Sequence, residues 1–351
     1  MRLKPRDRVM AAFEHREPDR VPLWCGASDE FWQKAKEQLQ CNDEELRVRF
    51  GDDFRRVFAS YKGPEFPLSP DAKDRSFFGV ERAGIGYGQA LNHPLAGASI
   101  EDIEDYLWPD PDWIDASGVR QQAEQHADTF AVLGGAWSPF WHDALELMGM
   151  QEMLVAMYEK PEVVDALLEK VVGFYTEVSR HIFEEAGDLI DIFFIGNDFG
   201  SQKGPLVGAS LFDRFVVPHL RRLIKLGHGY DLKVMLHCCG GISPLIPSMI
   251  EAGLDGLHPI QPSCKGMELQ AIKDQFGNKL LLNGAIDSHH VLIEGDTDHV
   301  QQKTREVLDI MMPGGGYIGG ASHDAILEET PVENVLAMFD TIRGYGCYGG
   351  R

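Results

Sequence analysis

The chain has 351 residues, of which 44% are apolar and 25% charged, enough apolar material for a sizeable core and too much for a disordered chain. With 33 Lys and Arg against 55 Asp and Glu, the net charge of -22 repels phosphate and anionic headgroups, so nucleic acid and membrane surfaces are excluded as partners. Six cysteines spread over this length do not form the dense framework of a secreted mini-domain, which makes reduced thiols or metal ligands their expected fates.

The first 20 residues alternate charged with apolar positions and lack the continuous apolar core of an export signal. No run of eighteen apolar residues follows anywhere, so a soluble, cytoplasmic protein is expected. No low-complexity linker or fixed-period repeat interrupts the chain, and one domain over 1–351 is the economical reading. Residues 1–125 read as an irregular part, since Pro-containing stretches such as GPEFPLSPD and WPDPDW continue neither helices nor central strands. Within it only VPLWCG and RRVFAS read as strands.

Over 126–351 short β-branched runs alternate with helical stretches, the pattern of repeated βα units. TFAVLGG precedes predicted helices over 143–158 and 161–185. In the second, Val164, Leu167, Leu168, Val171, Tyr175, Val178 and Ile182 recur at helical spacing and predict one buried face. DIFFIGND leads into a helix over 209–227, and KVMLHCCG into SPLIPSMIEAG. GLDGLHPI follows, then KLLLNGAID with a helix over 298–311, then GGGYIGGASH with PVENVLAMFDTI. Six strands here and two weaker ones before them make eight, the number of a (β/α)8 barrel. A doubly wound open sheet is the alternative if the count is off by one or two.

Polar residues cluster where the apolar runs end. Asn197 and Asp198 follow DIFFIG, His237 and Cys239 follow KVML, Asp287 follows NGAI, and Ser322 and His323 follow GGGYIGGA. In a barrel these positions share the C-terminal rim, where the fold carries its active sites. His237 and Cys239 lie two apart on a strand and so point the same way, letting imidazole and thiolate converge on one ion of a kind that suits zinc. The same pair also fits a packed thiol beside a hydrogen-bonded core histidine. Gly240 and Gly241 allow a sharp turn after the pair, His323 is the candidate third ligand, and Cys238 points to the opposite face.

Four stretches carry a resemblance: RDRVMAAFEHREPDRVPL, HCCGGISPLIPSMIEAGLDGLHPIQP, NGAIDSHHVL and GGGYIGGASHDAILEETPVENVLAMFD. They resemble the uroporphyrinogen decarboxylase superfamily, and within it the branch of zinc-dependent, corrinoid-linked methyltransferases. The resemblance spans almost the whole chain and implies a distorted (β/α)8 barrel. It further implies transfer of a methyl group between a small molecule (a methyl ether, amine or thiol) and the cobalt of a corrinoid. No D-x-H-x-x-G corrinoid motif occurs, so the corrinoid is expected on a partner protein. A homodimer stays open.

The arginine-rich R-Q-A-G-R-Y motif of true uroporphyrinogen decarboxylases is replaced by CGASDEFW, where a polycarboxylate meets Asp29 and Glu30. The resemblance implies zinc held by His237, Cys239 and a later cysteine, but GGASHDAI has none and His323 takes that place. It also puts Asn197, Asp198 and Gln202 on the pocket rim. Asp198 is the candidate catalytic acid, base or orienting group, with a helix cap or turn as the plain alternative. Trp137 and His142 in GGAWSPFWHD suit an aromatic substrate or a corrin face, or else ordinary core. Gln261 and Asp287 contact substrate or support the zinc histidines. Two other readings remain: a metal-free decarboxylase or lyase centred on Asp198, and a non-catalytic binder of corrinoids or tetrapyrroles.

Overall fold

The structure, a computed structural model, describes residues 2–84 and 88–349. Seven parallel strands form one sheet in chain order: β1 Phe54–Arg56, β2 Ala131–Gly134, β3 Ile192–Gly196, β4 Lys233–His237, β5 Gly256–Ile260, β6 Leu281–Ile286 and β7 Tyr317–Ala321. Neighbours in space are neighbours in sequence, as right-handed βα crossovers wound around one axis require.

Residues 21–24 close the sheet. On one side Trp24 N–H donates to the Gly319 carbonyl at 3.0 Å, and Gly319 N–H to Pro22 at 2.9 Å. On the other, Asp53 N–H donates to the Leu23 carbonyl at 3.0 Å. VPLW and RRVFAS thus supply the eighth and first staves expected of them, although the regular part of the latter begins at Phe54.

Alternation along each strand separates two cores. Trp24, Phe54, Leu133, Phe194, Met235, Leu281 and Ile318 fill the barrel together with Val9, Ala12 and Phe13 of the helix Pro5–Phe13. That helix crosses the N-terminal strand ends: Arg6 N–H donates to the Thr129 carbonyl at 2.9 Å, and its guanidinium pairs with Asp191 at 2.8 Å. With this end plugged, the opposite mouth is left for a site. The outer residues Phe193, Ile195, Val234, Leu236, Leu257 and Leu282 pack in the larger cluster with the surrounding helices. The stripe read along the helix Pro161–Ala186 is buried at all seven positions, each contributing roughly 1.5–3 kcal/mol of apolar burial.

Two expected helices are broken. The one over 143–158 is Phe140–Met148 followed by Met150–Glu159, because Gly149 takes φ +89. The one over 209–227 is Ala209–Phe215 followed by Val217–Gly229, restarting with Pro218 in its first turn, where a missing N–H costs nothing. The N-terminal part, read as irregular, also contains helices Asp29–Leu39 and Asp43–Phe50, started by the caps Ser28 and Asn42.

Asp53 holds the closure together. Its carboxylate accepts from Arg8 Nη1 (2.8 Å), Arg20 Nη1 (2.8 Å) and Leu23 N–H (2.8 Å), and both Arg8 and Asp53 are buried. Replacing it by alanine strands a buried guanidinium and a backbone donor, so Asp53→Ala is expected to cost about 3–5 kcal/mol. Urea unfolding measures this directly; a loss below about 1 kcal/mol would show that the closing strand is held by other contacts.

Candidate metal centre

β4 delivers His237 and Cys239 to the C-terminal mouth, while Cys238 between them is fully buried on the outer face, where its Sγ accepts from Phe199 N–H at 3.3 Å. The alternation expected from the sequence is the one observed. Gly240 then turns with φ +99, and a Cβ on it would lie 2.6 Å from the backbone of Gly200. Only glycine fits that close approach between the loops after β3 and β4.

Asp198 comes from the first of those loops. Its Oδ1 accepts the Cys239 N–H at 2.8 Å and lies 3.5 Å from His237 Nε2, which is 3.4 Å from Cys239 Sγ. Ligand atoms of Asp198, His237 and Cys239 all lie within 4.8 Å of one another. A tetrahedral zinc ion with ordinary bond lengths sets its N and S ligands about 3.6 Å apart and its N and O ligands about 3.3 Å apart. The donors present therefore fit zinc in chemistry and in spacing.

Electrostatics agree. Burial, followed by the negative charges of Asp198 and Asp324 among others, pushes the Cys239 thiol well above its ordinary value, so without a cation it keeps its proton. Burial also works to raise Asp198, but the hydrogen bond and charge of His237 and the Cys239 N–H outweigh it and leave the carboxyl below the usual carboxylate range. Thiol and carboxylate placed this close are the environment that a divalent cation relieves.

The other residues singled out in the sequence divide. Among the described residues His323 belongs to no group of three donors this close; its Nδ1 faces the Ala325 backbone, with the Ala325 N–H 3.2 Å away. The Trp137 ring stands 5.3 Å from the His237 ring and walls the site. Asn197 is buried and braces the loop after β2, accepting from Trp141 N–H (2.9 Å) and donating to the Ser138 carbonyl (3.0 Å). Gln261 Oε1 accepts the Gly240 N–H at 2.5 Å and so supports the turn after His237 and Cys239. Asp287 caps the turn over 288–293, accepting from His289 and His290 N–H at 2.9 and 2.7 Å. His142 pairs with Glu146 at 3.2 Å along its own helix, and Gln202 is exposed on the ribbon of Gly200–Ser201 and Gly204–Pro205.

Sequence reasoning passed over His258, Arg56 and Asp324. A cavity of about 760 Å³ at the mouth is lined by Trp24, Arg56, His323 and Asp324. Asp29 and Glu30 line it as expected, but so do Arg47 and Arg55, whose charges are met by Asp52 and Glu44 at 3.0 and 2.6 Å.

The family model described as uroporphyrinogen decarboxylase (URO-D) matches residues 96–345. The chain is 20% identical to the methylcobamide:CoM methyltransferase MtbA of Methanosarcina acetivorans, over 97% of this chain and 98% of that protein. It is 23% identical to a uroporphyrinogen decarboxylase of Alkalilimnicola ehrlichii, over 96% and 93%. Among solved structures, a methyltransferase from Methanosarcina mazei superposes with a TM-score of 0.71 at 18% identity, covering 98% of this chain and 99% of that one.

The donor set makes a direct prediction. His237→Ala, Cys239→Ala and Asp198→Ala are each expected to lose stoichiometric zinc on dialysis, whereas His323→Ala retains it. Elemental analysis of the four variants checks this; zinc lost with His323 and kept without Asp198 would reassign the third ligand.

Proposed function

Since the chain belongs to the uroporphyrinogen decarboxylase family, we propose that it is a cytoplasmic zinc-dependent methyltransferase. It would exchange a methyl group between a small molecule and the cobalt of a corrinoid carried by a partner protein. The observation that carries this reading is the convergence of one nitrogen, one sulfur and one oxygen donor from His237, Cys239 and Asp198 at the barrel mouth. Similarity along nearly the whole chain to a methylcobamide-dependent methyltransferase supports it.

Bound zinc would supply Lewis acidity, drawing charge from the heteroatom of a methyl donor or lowering the pKa of an acceptor thiol. His237 would offer Nε2, and Cys239 would bind as the thiolate, its proton released to solvent. Asp198 adds a second negative charge while holding the Cys239 N–H, which ties the two loops into one rigid donor face. Trp137 covers the His237 ring and keeps water from that side. A set with a single thiolate leaves the cation more electron-poor than one with two, which suits activating a weak oxygen donor such as a methyl ether. Methylation of a thiol far faster than demethylation of any methyl ether or amine would overturn that preference.

The second reading, a metal-free decarboxylase centred on Asp198, draws on the parallel similarity to uroporphyrinogen decarboxylases. Charge speaks against it. The cavity is lined by Asp29, Glu30, Asp52, Asp324, Glu328 and Glu329 against Arg47, Arg55, Arg56 and Lys73, and Arg47 and Arg55 are already paired.

Zinc-loaded protein mixed with cob(I)alamin or methylcobalamin and a panel of donors and acceptors is expected to shift the corrin spectrum as methyl exchanges. His237→Ala and Cys239→Ala are expected to lower the rate more than about 100-fold, given the several kcal/mol a Lewis acid contributes. Metal-free protein that decarboxylates at full rate would establish the second reading instead. Tight cobalamin binding with no exchange under any pairing would mark a non-catalytic binder.

A further inference from the structure

Behind the donor group lies a line of buried polar atoms that it does not use. His237 and His258 are register partners on adjacent strands β4 and β5, so both imidazoles enter the barrel side by side. Nδ1 of His237 is 3.2 Å from Nδ1 of His258, while its Nε2 faces Cys239 and Asp198. His258 is fully buried, clamped by the rings of Trp24 at 4.8 Å and Phe194 at 5.5 Å. Its Nε2 has no hydrogen-bond partner and lies 3.8 Å from Oδ1 of Asp324, a buried carboxylate oxygen that likewise has none.

A neutral imidazole carries one proton on two nitrogens, so two Nδ1 atoms in contact share a single hydrogen and either ring can be its donor. A cation on Nε2 of His237 removes that ambiguity. The His237 proton must then sit on Nδ1 and be donated to Nδ1 of His258, and the His258 proton must sit on Nε2, facing Asp324. A shift of less than about 1 Å closes the remaining gap to a hydrogen bond.

Resting on the metal-binding reading above, we propose that Asp324, His258 and His237 form a carboxylate–imidazole–imidazole relay in which His258 and Asp324 are positioning residues that orient the metal-ligating His237. The fold prepares both. Gly26 lets the loop after β7 approach so closely that a Cβ there would lie 1.9 Å from the Asp324 carbonyl oxygen, and the pairing of Ala27 with Ile326 continues the contact. The Arg56 guanidinium is 3.7 Å from the Asp324 carboxylate, supplying positive charge where a second cation would otherwise sit. A buried imidazole N–H and carboxylate oxygen without a hydrogen bond are destabilising, and metal binding at His237 would recover part of that by joining them.

Zinc affinity, measured by competition with a chromogenic chelator, tests the relay. Wild type is expected to bind one zinc, Asp324→Ala to bind one zinc 10- to 100-fold more weakly, on the order of other outer partners of metal histidines, and Asp324→Asn, which keeps an acceptor, to recover most of the loss. Because His258 is in the core, its part is read without mutation: nitrogen NMR of histidine-labelled, zinc-loaded protein should show His258 protonated at Nε2 and accepting at Nδ1. Wild-type affinity in Asp324→Ala, the opposite His258 tautomer, or a second zinc lost with Asp324 would each overturn the relay while leaving the metal centre standing. A wild-type protein that takes up no zinc would overturn both.

Discussion

Asp53 receives two arginines and the Leu23 amide, and its own amide binds the Leu23 carbonyl, so a single buried carboxylate ties the closing segment to the first strand. Everything at the mouth follows from that closure. Seven strands in chain order would make only a curled sheet, with β7 and β1 far apart in function. Residues 21–24 bring their ends together, and the Gly26–Ser28 continuation seats the loop that carries His323 and Asp324 against the same rim as Arg56. Arg8, from the helix that plugs the other end, joins the same carboxylate, which couples the plug to the closure.

Strand alternation then decides the chemistry. On β4 the inward positions are Met235, His237 and Cys239, passing from core filler to donor atoms within three steps, while Val234, Leu236 and Cys238 face the helices. In a parallel barrel the register partner of an inward residue is also inward, so His237 and His258 meet as neighbours. A polar pair of this kind inside a largely apolar barrel is costly, and it is tolerable where something draws on its hydrogen bonds. The buried thiol beside it points the same way, since Cys239 next to the Asp198 carboxylate gains from a cation.

Residues at strand ends fall into those that present donors and those that hold the presenting loops. Asn197, Gln261 and Asp287 are strand-end polar residues of the type that marks active sites, yet their hydrogen bonds go to backbone groups, of neighbouring loops for the first two and of its own turn for Asp287. Asn197 and Gln261 fix the loops after β2 and β4 beside Asp198 and Cys239, and Asp287 fixes the turn after β6. A sequence offers no way to separate the two kinds, because a side chain that accepts from a backbone amide and one that faces a ligand are the same residue types at the same positions.

The strand rhythm, the buried stripe of the helix Pro161–Ala186 and the split of His237 and Cys239 from Cys238 were legible in the sequence, because periods of 2 and 3.6 are local properties of the chain. The N-terminal helices were legible in principle: Ser28 caps one, and Asn42 with Glu45 forms a capping box on the next. Which loops meet is not local. That Asp198 lies beside His237 and Cys239 while His323 turns to the Ala325 backbone, and that His258 and Asp324 stand behind them, depends on register across β4 and β5 and on the closure through residues 21–28. Those contacts join positions from 21 to 326, and only the folded barrel brings them within a few ångströms.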